Sequence, residues 1–280
     1  GWFITAGAAF IVCFLIAMLN HFGGVIAMVL VVALVAFVII SNNRRFKQKR
    51  EEEGVDTLFR QIVRTHDKSM VWELLSTHVR TTQGDVLVFT RSAFRHISQG
   101  LMHDNMKELR AAHHEIDEEK GIWKRYRRKE ILGMRKIDYM QAVEKNTWFH
   151  LGCNSITQII YGLKRMLEPC LEHVDNNFNP MPQAYVDEFI PICNAVDKFL
   201  EETHRLITSG NFNGVDEVLV EGNAIKSRIS QIRHEQQDRI QRDEQNLKID
   251  LLYLSTLQET QEIISITRHL LRASKRFQTQ

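Results

Sequence analysis

The residues best equipped for chemistry lie in one run, His113-His114-Glu115-Ile116-Asp117-Glu118. On a helix, His113 stands four residues from Asp117 and His114 four from Glu118, so either pair could chelate a divalent ion. The spacing is not the HExxH of a zinc protease. Mixed acids and histidines at helical spacing ordinarily form a solvated face, and no metal ligand is assigned. A second run, Lys124-Arg125-Tyr126-Arg127-Arg128-Lys129, is basic enough to meet anionic lipid headgroups or a phosphate-bearing ligand. It could equally pair with the acidic Glu115–Glu119 segment, and a solvated or paired structural face is the plainer reading. The chain has no glycine-rich phosphate loop and no GxSxG, and its His, Glu and Asp residues show no spacing that selects an acid–base pair. No catalytic residue, no cofactor and no enzymatic activity are expected.

The cysteines add nothing reactive. Cys13, Cys153, Cys170 and Cys193 form no CxxC, and in a reducing cytosol they stay thiols suited to small apolar packing. The charge balance is equally plain. Lys and Arg number 36 against 34 Asp and Glu, a net +2; residues 1–50 hold five basic and no acidic side chains, leaving −3 (2 − 5) for residues 51–280. A near-neutral segment of that length has no general basic face for nucleic acid. It can bury one or two ordinary cores.

The elements that must position these residues read as helices, since prolines number only four and glycines 14. Leu58, Ile62 and Val63 give a short apolar face. A long helix follows from Met70 to about Ser98, with Gly84 as its weak point and Gly100 near its end. Asp104 is placed to cap a second, ending near Gly133, and a third runs from about Ile137 to His173. Asn176-Asn177-Phe178-Asn179-Pro180-Met181-Pro182 breaks the chain. Three more helices are expected over about Gln183–Thr208, Val215–Gln245 and Leu247–Phe277.

These six form two sets of three. Ile97-Ser98-Gln99-Gly100 resembles Ile207-Thr208-Ser209-Gly210 at an offset of 110 residues (207 − 97), and Ser155-Ile156-Thr157 recurs as Ser265-Ile266-Thr267 at the same offset. Cys153, Ile156, Ile160, Leu163 and Leu167 share a helix face, and Ile263, Ile266, Leu270, Ala273 and Phe277 repeat that spacing. The expectation is a duplicated three-helix unit over 69–280, with repeats at about 69–175 and 183–280.

Ahead of it, Trp2–Ser41 carries no Asp, Glu, Lys or Arg and is followed by Arg44-Arg45-Phe46-Lys47-Gln48-Lys49-Arg50. About 20 residues span a ~30 Å hydrocarbon core, so the stretch has room for two spans, Trp2–Leu19 and Val25–Ile40, turning at Asn20-His21-Phe22-Gly23-Gly24. Small residues at Thr5, Ala9, Cys13 and Ala17 give the first span a face for close helix packing. The basic flank would hold everything after about residue 44 in the cytosol. The expected layout is a membrane hairpin at 1–43, a basic linker and short helix at 44–68, and the helical domain at 69–280. The first residue is Gly, which suggests a piece of a longer protein or a processed start.

Gly1-Trp2-Phe3-Ile4-Thr5 with the two apolar spans resembles the C-terminal end of the PiT family of inorganic phosphate transporters. The duplicated unit resembles PhoU, the helical regulator of phosphate uptake. Asn154-Ser155-Ile156-Thr157, Leu163-Lys164-Arg165 and the stretch from Cys170 to Pro182 are similar to long-tailed bacterial PiT proteins, in which the two parts are fused. The resemblance implies an all-α chain: a two-helix transmembrane hairpin followed by a cytosolic PhoU-like bundle, in a multi-pass protein of the inner membrane. It implies symport of inorganic phosphate with a coupling cation, regulated by the helical domain, with the bilayer as a partner and a homodimer allowed. PhoU proteins carry ExxxD metal motifs, but the corresponding positions here are Thr147 and Leu151, then Leu257 and Gln261, so no metal site is expected. The rival expectation is a membrane-anchored helical signalling or scaffold protein that binds a partner through its bundle.

Overall fold

In the computed structural model the described residues are 57–240 and 247–279, and most helix ends among them have a local cause. A helical stretch at 57–64 ends where Lys136 donates through Nζ to the carbonyls of Ile62 (3.0 Å), Val63 and Thr65 (3.3 Å), a cation on a helix C-terminus. Helix α1 (Lys68–Met102) starts at Asp67, whose carboxylate accepts from Ser69 N. Helix α2 (Met106–Met134) is capped by Asn105 rather than by Asp104. Asp104 occupies the left-handed region at φ 51°, whereas an N-cap needs the extended backbone that Asn105 has. Helix α3 (Tyr139–Asp175) takes Asp138 as its cap. The proline-bounded break follows, then α4 (Gln183–Ser209), which stops at Gly210 in the left-handed conformation, φ 68°. Helices α5 (Val215–Ile240) and α6 (Leu247–Gln278) complete the bundle.

Packing follows the apolar faces. Helix α1 lies against α2, α3 and α4, while α4 lies against α5 and α6; α2 packs on α3 and α5 on α6. Each set of three thus has the same internal order. The sets meet along α3 and α6, where the ten face residues from Cys153 to Leu167 and from Ile263 to Phe277 are all buried. Lys145 reaches across to the last turn of α6, donating to the carbonyls of Thr279 (2.6 Å) and Arg276 (3.4 Å). Gly84, read above as a weak point, lies inside an unbroken helix. A Cβ there would stand 2.5 Å from Thr208 Cγ2, so the glycine is what lets α4 approach.

The membrane architecture is corrected. Among the described residues no helix is long and apolar enough to cross a membrane. Length is not the obstacle. Helix α3 holds no Asp, Glu, Lys or Arg from Asn146 to Leu163, yet that run contains Asn146, His150, Asn154 and Gln158 and falls short of a span's hydropathy. The expected hairpin at 1–43, with spans Trp2–Leu19 and Val25–Ile40, lies outside the described residues, as does the basic flank at Arg44–Arg50. The multi-pass inner-membrane placement, the bilayer as partner and the membrane-anchored alternative therefore find no support among the described residues. Symport of phosphate with a coupling cation is likewise without support among the described residues, which supply none of the spans between which a symporter holds its substrate. No support for a homodimer is found among the described residues. What stands is an all-α bundle.

Candidate functional site

The histidine–acid run on α2 faces outward. His113 Nδ1 lies 3.6 Å from Asp117 and His114 Nδ1 3.6 Å from Glu118, all on exposed side chains. Among the described residues, no three His, Cys, Asp or Glu side chains are placed to hold a metal ion. Glu115 leaves the run: it accepts from Ser92 Oγ at 3.2 Å and lies 3.3 Å from His96 Nε2, while the other ring nitrogen of His96 meets Glu108 at 2.5 Å. His96 is therefore a clamp between α1 and α2, and no spacing in the chain links position 96 to 108 and 115. Of the positions at the PhoU metal motif, Thr147 and Leu151 are exposed, Leu257 is buried, and Gln261 binds Ser230, Arg233 and the Lys226 carbonyl on α5.

The basic run is divided by helical geometry. Tyr126 and Glu130 turn inward with Trp123, whose indole donates to Thr157 Oγ1 at 3.0 Å. Lys124, Arg125 and Arg128 face outward, and Lys129 lies over the rings of Phe59 and Tyr126. Inside, Glu130 accepts from Thr82 at 2.6 Å and lies 3.4 Å from His78 Nδ1, with both side chains 1% exposed. This is an acid beside an imidazole, but no substrate can reach it. Burial also pushes the Cys170 thiol up to about 12 and Cys153 higher still, so neither is a ready nucleophile.

The second three-helix set holds a comparable polar core. Tyr185 donates to Asp250 at 2.6 Å, and Gln236 donates to the same carboxylate at 3.2 Å. Tyr253 and Arg239 both donate to Glu188, at 3.1 and 3.0 Å. Tyr185 and Tyr253 stack 4.8 Å apart. His78 and Glu188 are equivalent positions at the 110-residue offset (188 − 78), as are Tyr126 and Gln236 (236 − 126). These networks tie helices together within each set.

One group of accessible polar side chains lies between the sets, where α1 meets α4. The two helices run antiparallel, because Gly84 meets Thr208 and His204, Arg91 meets Asp197 and Glu201, and Ser98 faces Cys193. Asp197 accepts from Arg91 Nε (3.1 Å) and Nη2 (2.8 Å) and from Arg95 Nη2 (3.1 Å). The bonds from Arg91, then those from Arg95, hold its carboxyl below the ordinary value. His204 is pushed down by burial and by the Arg91 charge. Beyond Asp197 the seam opens into a cavity of about 340 Å³ whose walls include Phe94, Arg95, Ser98, Ile190 and Asn194. Ser98 is 2% exposed, and its Oγ faces the Cys193 thiol without a hydrogen bond of normal geometry. Burial pushes that thiol up to about 12. Nothing in the local sequence signals this seam, since its partners are about a hundred residues apart. Comparison with known families and with curated proteins finds no match.

Proposed function

We propose that the bundle is a regulatory binding module that acts by a shift between its two three-helix sets and catalyses no reaction. The observation that carries this reading is the contrast between the two seams joining the sets. The α3–α6 seam is lined by ten buried side chains, nearly all apolar, with the Arg165–Glu259 pair (2.9 Å) at its edge, and this packing resists sliding. The α1–α4 seam is closed by Arg91, Arg95, Asp197 and Glu201, which are partly solvated and can exchange partners. Two sets hinged on an apolar seam and latched by an ionic one make a two-state element, and a ligand that binds the two states differently can bias it. The resemblance to PhoU supports the same reading, because PhoU is a helical regulator rather than an enzyme.

Amide hydrogen exchange at low and high salt tests the reading. The Debye length falls from about 10 Å at 0.1 M to about 3 Å at 1 M, which weakens the partly exposed latch and leaves apolar packing intact. Exchange should quicken along α1 and α4 around Arg91 and Asp197, with α3 and α6 unchanged away from the Arg165–Glu259 pair. Equal protection of both seams at both salt concentrations would show a rigid scaffold and refute the regulatory role.

A further inference from the structure

The two ends of the α1–α4 contact are equivalent by the repeat but are built differently. Gly84 sits against Thr208, and the positions 110 residues away are Asn194 (194 − 84) and Ser98 (208 − 98). Where the glycine stands, the helices touch. Where asparagine stands instead, a cavity of about 340 Å³ is lined by residues of both helices. That volume lies at the low end of the range for small-molecule sites. A duplicated unit that closes one end and opens the other has a pocket that symmetry alone would not leave.

The cavity wall carries one anion, Asp197, which Arg91 holds through two nitrogens, together with Arg95, His103 and Gln99. Arg91 alone grips Asp197 through two nitrogens, so Arg95, with one bond and a side chain 56% exposed, is the cation free to change partner. The Ser98 hydroxyl and the Asn194 amide add neutral donors on opposite helices, and the buried Ser98 hydroxyl has no protein acceptor of good geometry. Phe94, Met102 and Ile190 supply apolar wall. We infer that this cavity binds a small organic carboxylate, with its carboxylate on Arg95 and Asn194 and its apolar body along Phe94, Met102 and Ile190. Binding draws Arg95 away from Asp197 and leaves Asp197 to Arg91, so occupancy loosens one strand of the latch. The inference rests on the regulatory reading only for that last consequence.

Calorimetric titration of the full chain with sodium hexanoate, hexanamide and inorganic phosphate tests the site. Hexanoate should bind saturably at one site, and hexanamide, which keeps the shape without the charge, about tenfold or more weaker. Arg95→Ala, on a largely solvated side chain, should fold as wild type by circular dichroism and bring hexanoate down to the hexanamide level; Arg95→Lys should recover part of the loss. Absence of saturable hexanoate binding, equal binding of hexanamide, phosphate binding in place of hexanoate, or undiminished binding by Arg95→Ala each overturns the carboxylate site. Hydrogen exchange with bound hexanoate separates the two claims. Binding with no change along α1 and α4 beyond the cavity walls overturns the regulatory reading and leaves the site standing. A salt-sensitive seam with no hexanoate binding does the reverse.

Discussion

Replacing Asp197 with alanine removes the carboxylate that receives both seam arginines. Three contacts are lost, two from Arg91 at 3.1 and 2.8 Å and one from Arg95 at 3.1 Å. A hydrogen bond to a charged group contributes about 1.5–3 kcal/mol when buried, while an exposed ion pair contributes about 0.2–1 kcal/mol. The Asp197 and Arg91 side chains are 32% and 24% exposed, which places their pair between these limits, and the Arg95 pair belongs with the exposed class. The expected cost is about 1–3 kcal/mol, most of it from Arg91. Urea denaturation of the full chain near neutral pH measures it. Asp197→Asn adds the pH arm. The wild-type carboxyl is held below its ordinary value of 3.8 in the folded state, so its contribution is complete above that value and is lost as pH falls through the lower folded-state value. The stability difference between wild type and Asp197→Asn should therefore be flat at higher pH and shrink below about pH 4. An Asp197→Ala protein as stable as wild type, or a difference that persists undiminished into acid, would refute the latch.

Gly84→Val should destabilise the bundle by about 1–3 kcal/mol through overpacking against Thr208, and Thr208→Ala on that background should recover part of it in the same urea assay. Ile156→Ala and Ile266→Ala, both in the buried α3–α6 seam, should each cost about 2–5 kcal/mol; a melting curve that either leaves unchanged would mean the seam is wrongly drawn. Asp250→Ala leaves the Tyr185 hydroxyl without its acceptor at a site 4% exposed and should cost about 1–3 kcal/mol, whereas Asp250→Asn should cost less because it keeps an acceptor for Tyr185.

Local sequence pattern carried the helices and their buried faces. The spacing of Ile156, Ile160 and Leu163, the proline break at Pro180–Pro182 and the glycine at 210 act over a few residues, so each is visible along the chain. Capping was harder to read, because Asp104 and Asn105 are both good cap residues and only the backbone angle after His103 chooses between them. The charged runs misled for a related reason. Helical rotation takes Glu115 to His96 and Ser92 and sends Trp123, Tyr126 and Glu130 inward, so a run that is one block in sequence becomes several faces in space. The membrane expectation rested on residues 1–43, which lie outside the described chain, and the polar residues of α3 deny it any span among the rest. The seam and its cavity belong wholly to the tertiary structure. Arg91 and Asp197 are 106 residues apart, and pairing them requires two helices to be laid antiparallel by contacts made elsewhere. The exchange of glycine for asparagine between positions 84 and 194 can be seen in the repeat, but whether a cavity lies there depends on which helix lies opposite, and only the packed bundle decides that.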